Sequence, residues 1–171
     1  MEKQKTIELL NRLVTINNDR IKGYETASKE TDEQDLKILF AQFTATSQNC
    51  KKELLAEVKK LGGIITEDTI PSGELFYVWI DVVKAALSSK DRKVILKSCE
   101  YGEDIAVETY FKALRNNMIN ITAEQQIMIN AQHDLIKADY NKMKSMRDAL
   151  AYKQIKYDIP LTQSTVKHSW F

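Results

Sequence analysis

An all-α bundle is the fold this sequence predicts, and three observations carry that prediction. Apolar residues recur at steps of three and four over four long stretches. Only 5 glycines and 2 prolines occur among 171 residues, so little turn material interrupts those stretches. No segment shows the sustained apolar–polar alternation of a half-buried strand, and no Asn-Gly pair marks a hairpin.

The first helix is predicted over about residues 4–29, with Ile7, Leu10, Val14, Ile21 and Tyr24 on one face. TDEQ (31–34) matches a capping box and predicts the start of the second helix. Its face runs Leu36, Phe40, Phe43, Ser47, Cys50, Leu54, Val58, Leu61, and Gly62-Gly63 stops it. The connection ITEDTIPSGE carries the breakers Pro71, Ser72 and Gly73. A short, bulky helix is predicted over about 74–88. SSKD (88–91) resets the chain, and a third long helix follows over about 91–116, with Ile95, Cys99, Gly102, Ala106, Thr109 and Ala113 on its face. A second capping box, Thr122 to Gln125, opens a fourth long helix reaching about residue 154. Helices of this length span about 40 Å at 1.5 Å per residue. The first and last connections are short, which predicts two antiparallel hairpins. The middle one is long enough to run the length of a bundle, so a crossover between helices 2 and 3 carrying a short extra helix is predicted. The domain is expected to span residues 1–155, with a C-terminal tail at 156–171 that includes His168 and ends in Trp170 and Phe171.

Charge excludes some partners. The 25 basic and 24 acidic residues leave a net charge of +1, which gives neither nucleic acid nor an anionic membrane an electrostatic footprint. No apolar run is long enough to span a bilayer. Cys50 and Cys99 are far apart and lie in apolar-periodic runs, which predicts two buried reduced thiols and a cytoplasmic setting.

Each long helix interrupts its apolar face near its own midpoint. Helix 1 places Asn17 there, beside Asn18 and Asp19; helix 2 places Ser47, beside Gln48; helix 3 places Gly102, beside Glu103. Helix 4 offers two faces. One runs Ile129, Gln132, Ile136, Met143; the other runs Ile129, His133, Ile136, Tyr140, Met143, and its greater apolarity predicts a buried His133. Antiparallel helices of equal length align their midpoints, so Asn17, Ser47, Gln48, Glu103 and Gln132 or His133 are expected to form one polar core layer. A weak internal repeat, NNDRIKGYETA (17–27) against EDIAVETYFKA (103–113), aligns Tyr24 with Tyr110 and Ala27 with Ala113.

Two hairpins, a long crossover and a polar layer at mid-height together resemble the ferritin-like four-helix bundles. More narrowly, the chain resembles a bacterial group, the domain-of-unknown-function 2383 family. The stretches that carry the likeness are INNDRIKGYETA (16–27), LFAQFTATSQNCKKEL (39–54) with LGG (61–63), WIDVVKAAL (79–87) and CEYGEDIAVETYFKAL (99–114), within roughly residues 5–150. The resemblance implies a ferritin-like bundle and brings no established activity.

Di-iron bundles of that kind need a Glu from each of two helices and a Glu-x-x-His from each of the other two. Here helix 4 has Asn130-x-x-His133, with an amide where the acid belongs. Helix 2 offers Gln48 with no His, helix 1 offers Asn17 and Asn18, and helix 3 keeps Glu103. Two divalent cations among so few carboxylates would bury a large uncompensated charge. No metal and no other cofactor is therefore expected. The set that would ligate one is His133, Glu103, Asn130, Gln48, Asn17 and Asn18. If Glu103 lies beside His133, the pair is expected to respond to pH.

No nucleophile elbow, phosphate-binding glycine loop or H-E-x-x-H motif occurs. The leading expectation is a non-catalytic structural or interaction protein. The rivals are a metal-binding protein handling iron or acting as an oxidoreductase, and a binder of a small apolar ligand in room left by Gly102, Ala106 and Ser47. The short helix is read either as a lid packed across the bundle or, through Phe76, Trp79, Ile80 and Val83, as a homodimer interface, and the chain is expected to form a homodimer.

Overall fold

The computed structural model describes residues 2–63 and 74–158. Among these residues there are five helices: α1 (Glu2–Glu30), α2 (Gln34–Lys60), α3 (Glu74–Ser88), α4 (Arg92–Asn117) and α5 (Ala123–Asp158). Among the described residues no strand is present. The connection through Pro71, Ser72 and Gly73, the Phe76 side chain, and the tail with His168, Trp170 and Phe171 lie outside them.

The helix ends show which sequence signals act. At Thr122 the capping box closes reciprocally: Thr122 N donates to Gln125 Oε1 at 3.0 Å and Gln125 N to Thr122 Oγ1 at 3.2 Å. At Thr31 the expected box does not form. Thr31 N still closes α1 by bonding Ala27 O at 3.1 Å, and its hydroxyl accepts from Glu33 N. A three-residue link makes Thr31 the end of one helix, so Glu33 becomes the N-cap of the next, with no side-chain cap bond. Gly62, at φ +69, ends α2 in a Schellman motif: Gly63 N bonds Val58 O and Gly62 N bonds Lys59 O, both at 2.9 Å. Asp91 caps α4 by accepting from Lys93 N and Val94 N. Helix α5 continues past the expected residue 154 to Asp158, because no breaker precedes Pro160 and only the residue before a proline is pushed out of helix.

Side-chain pairs fix the topology. Asn18 meets Lys51, Arg20 meets Ser47 and Tyr24 meets Phe40, so α1 and α2 are antiparallel. Tyr110 meets Gln132 and Glu100 meets Arg147, so α4 and α5 are antiparallel. Tyr24 meets Glu103 while Asn17 meets Tyr110, so α1 and α4 are antiparallel too. Consequently α2 and α4 run in the same direction, and the connection carrying α3 crosses between them. Helix α3 packs on α1 and α4.

The core is divided in two. One cluster holds Tyr24, Leu36, Phe40, Phe43, Trp79, Val83, Leu87, Ile95, Leu96, Cys99 and Met143. The other holds Leu10, Leu13, Val14, Leu54, Val58, Ala106, Tyr110, Ile129 and Ile136. Between them lies the polar layer. No helix of the described residues is long and apolar enough to cross a membrane.

Candidate functional site

The centre of the layer is Arg20, a residue sequence reasoning passed over. Its side chain is 2% exposed. Nε donates to Glu103 Oε1 at 3.0 Å and Nη2 to Glu103 Oε2 at 2.9 Å, a bidentate fork onto a fully buried carboxylate. Nη2 also reaches Asp139 Oδ2 at 3.0 Å, and Nη1 donates to the Ser47 hydroxyl. The Tyr24 hydroxyl donates to Glu103 Oε1 at 2.5 Å. One guanidinium thus ties together all four long helices.

A second cluster adjoins it around Tyr110. Asn17 Nδ2 donates to the Tyr110 hydroxyl at 2.6 Å and to Leu13 O at 2.8 Å. The Tyr110 hydroxyl donates to Gln132 Oε1 at 2.8 Å. Gln132 Nε2 donates to Glu53 Oε2 at 2.8 Å and to Cys50 O at 3.2 Å. Among the described residues, Asn17 Oδ1 is buried with no hydrogen-bond partner.

Burial and charge oppose each other here. Burial, the largest single influence, would draw the Arg20 guanidinium down; the charges of Glu103, Tyr24 and Asp139 and the hydrogen bond to Glu103 together outweigh it, and Arg20 stays protonated above the ordinary arginine range. Burial pushes the Glu103 carboxyl above its usual value, against the pull of Arg20 and Tyr24. Asp139 is also raised by burial, with Arg20 and then Thr46 pulling it down. Cys50 is pushed up to about 11 by burial, and burial raises Cys99 further. Both thiols are free and buried, as the sequence predicts, and neither environment favours a reactive thiolate.

The expected site residues divide. Asn17, Ser47, Glu103 and Gln132 enter the layer. Gln48 and Asn130 are exposed, and Asn130 only bonds Gln126 O on its own helix. Asn18 is buried and accepts from Lys51 at 3.3 Å, outside the charged cluster. His133 is half-buried at the margin of α5, with Nδ1 3.3 Å from Asp134, and it does not partner Glu103. The face that turns inward is the one through Gln132, extended to Asp139. It carries polar groups that have partners across the core, which outweighs the greater apolarity of the His133 face.

A di-iron centre does not fit these residues. The carboxylates of Glu103 and Asp139 are already engaged by the Arg20 guanidinium, and His133 lies off the layer beside Asp134. Among the described residues no group of three or more His, Cys, Asp or Glu side chains is arranged to hold a metal ion. The room attributed to Gly102 is also taken. A Cβ on Gly102 would meet the Trp79 indole at 2.3 Å, and one on Gly23 would meet it at 2.0 Å. Trp79, Ile80 and Val83, weighed as a dimer interface, are buried against the chain's own bundle; among the described side chains of α3, the large apolar residues Tyr77 and Val82 are exposed.

The internal repeat has a structural counterpart. Asn17 bonds Tyr110, and Glu103 bonds Tyr24: aligned residues exchange partners. The hairpin partners repeat the exchange at the same sequence offset of 86 residues, since Glu53 bonds Gln132 while Thr46 lies beside Asp139. The two hairpins are therefore related by an approximate two-fold axis through the layer. Arg20 breaks that symmetry, because its counterpart in α4 is the small Ala106.

No curated protein matches the chain. A family model described as a domain of unknown function (DUF2383) matches residues 5–116, from α1 to the end of α4. Arg20, Tyr24, Ser47 and Glu103 lie inside that match, and Gln132 and Asp139 lie beyond it. The match covers more than half of the chain, and the protein belongs to the family of this domain of unknown function.

Proposed function

We propose that the protein is a non-catalytic bundle of the ferritin-like kind, serving a structural or interaction role, in which a side-chain cation replaces bound metal. The observation that carries this reading is Arg20, held by Glu103 and Asp139 at 2.9–3.0 Å between two halves of the core. A permanent cation satisfies the carboxylates and fixes the register of four helices at once. The parallel α2 and α4, joined by a crossover, support the ferritin-like arrangement. Two free, buried thiols suit a cytoplasmic setting.

Elemental mass spectrometry tests this. The protein, purified without a metal-binding tag, is incubated with excess Fe(II), Mn(II) or Zn(II) and desalted. The expected result is no stoichiometric metal. Two equivalents per chain, lost in Glu103→Gln, would replace this reading with a metal-dependent one.

A further inference from the structure

Helix α3 is attached differently from the other four. The polar layer cross-links α1, α2, α4 and α5 through Arg20, Ser47, Glu103 and Asp139. Helix α3 instead rests on the α1–α4 seam by an apolar face of Trp79, Ile80, Val83, Ala86 and Leu87. Its largest inserted side chain is Trp79. The indole lies between two helix backbones, in a slot that exists only because residues 23 and 102 have no Cβ. Its Nε1 donates to Ser98 O at 3.0 Å, and its ring meets Tyr24 edge-on at 5.6 Å. A helix of 15 residues is only marginally stable in water without such packing.

We propose that α3 is a lid that lifts from the α1–α4 seam as a unit while the four-helix bundle stays folded, with Trp79 as its latch. The two sets of contacts share Tyr24, whose ring meets Trp79 and whose hydroxyl bonds Glu103, but the bonds of Arg20 to Ser47, Glu103 and Asp139 run between the four long helices, so the seat of α3 can be lost while they hold. Opening uncovers a flat slot between Gly23 and Gly102, walled by Tyr24 and edged by the Ser98 carbonyl. Such a slot takes a planar aromatic group with one N–H donor, as Trp79 itself is.

The two cysteines are built-in reporters. Cys99 shares a core cluster with Trp79 and Val83 and follows Ser98, whose carbonyl holds the Trp79 indole. Cys50 lies on α2, where its carbonyl accepts from Gln132 inside the four-helix layer. The test is thiol labelling of the full chain without denaturant, with each cysteine resolved by peptide mass spectrometry. Cys99 is expected to label at least about tenfold faster than Cys50. Trp79→Ala is expected to speed Cys99 by a further order of magnitude, roughly, and to leave Cys50 unchanged, with helical circular dichroism retained. Should that variant not fold, Trp79→Phe serves, since it keeps a ring and loses the Nε1 donor. Equal labelling of Cys99 and Cys50 in the parent protein, both tracking global unfolding, would overturn the proposal. So would a folded Trp79 variant in which both rates rise together.

Discussion

Arg20 grips Glu103 through two parallel hydrogen bonds of 3.0 and 2.9 Å, with both side chains buried. Removing one partner of such a pair leaves an uncompensated buried charge, which costs about 3–5 kcal/mol, whereas replacing both by apolar groups of similar volume is often close to neutral. Arg20→Met is therefore expected to destabilise the protein by that amount in urea unfolding, since it strands Glu103 and Asp139 together. Arg20→Met with Glu103→Leu and Asp139→Leu is expected to recover most of the loss. Arg20→Lys is expected to recover little, because an ammonium cannot form the fork. Equal stability of Arg20→Met and the parent would mean that the layer contributes nothing to the fold.

The layer also sets a direction for pH dependence. Burial raises Asp139 and Glu103 above their ordinary values of 3.8 and 4.5. A carboxyl raised in the folded state binds a proton more tightly there than in the unfolded chain. Its contribution is most favourable below the unfolded pKa and declines as pH rises through the folded one. Arg20 stays charged throughout and adds no slope. The melting temperature of Asp139→Asn minus that of the parent is thus expected to increase from about pH 4 upward and then to level off. A difference that decreases over that range would show that Asp139 is lowered by Arg20 rather than raised by burial.

Much of this architecture is legible in the sequence, for physical reasons that also mark the limit. The helices show because their buried faces repeat at three and four, and Gly62, Asp91 and Thr122 terminate or start them by local bonds. The layer shows at Asn17, Ser47 and Glu103, where a polar residue interrupts an apolar face. Arg20 does not show, because a long charged side chain is by default a surface residue. Yet it stands three positions after Asn17 and four before Tyr24, on the same face, and Asp139 stands seven after Gln132. A charge of each sign on two buried faces was the available signal. The seat of Trp79 had none, since two glycines from different helices meet only in three dimensions.

That seat makes a sign prediction at Gly102. A glycine inside a helix normally costs about 0.5–1 kcal/mol relative to alanine, so Gly→Ala should stabilise. Here the added Cβ would stand 2.3 Å from the indole, which must move out of a buried slot. Overpacking of this kind costs about 1–3 kcal/mol. Gly102→Ala is expected to lower the unfolding midpoint in the parent and to raise it, or leave it unchanged, in a Trp79→Leu background. The same sign in both backgrounds would remove Trp79 as the cause.

Tyr110 offers the last test, because its hydroxyl both accepts from Asn17 and donates to Gln132. In Tyr110→Phe the Gln132 Oε1 atom stays buried without its donor, which costs about 1–3 kcal/mol. Gln132→Leu removes that acceptor, and it also breaks the bonds to Glu53 and to the Cys50 carbonyl. In the double variant Tyr110→Phe/Gln132→Leu the stranded acceptor is gone. The double loss is therefore expected to fall short of the summed single losses by about 0.5–3 kcal/mol. Additive losses in the denaturation cycle would mean that the two side chains act independently. The contact that carries the polar layer from α4 to α5 would then be a geometric coincidence without energetic weight.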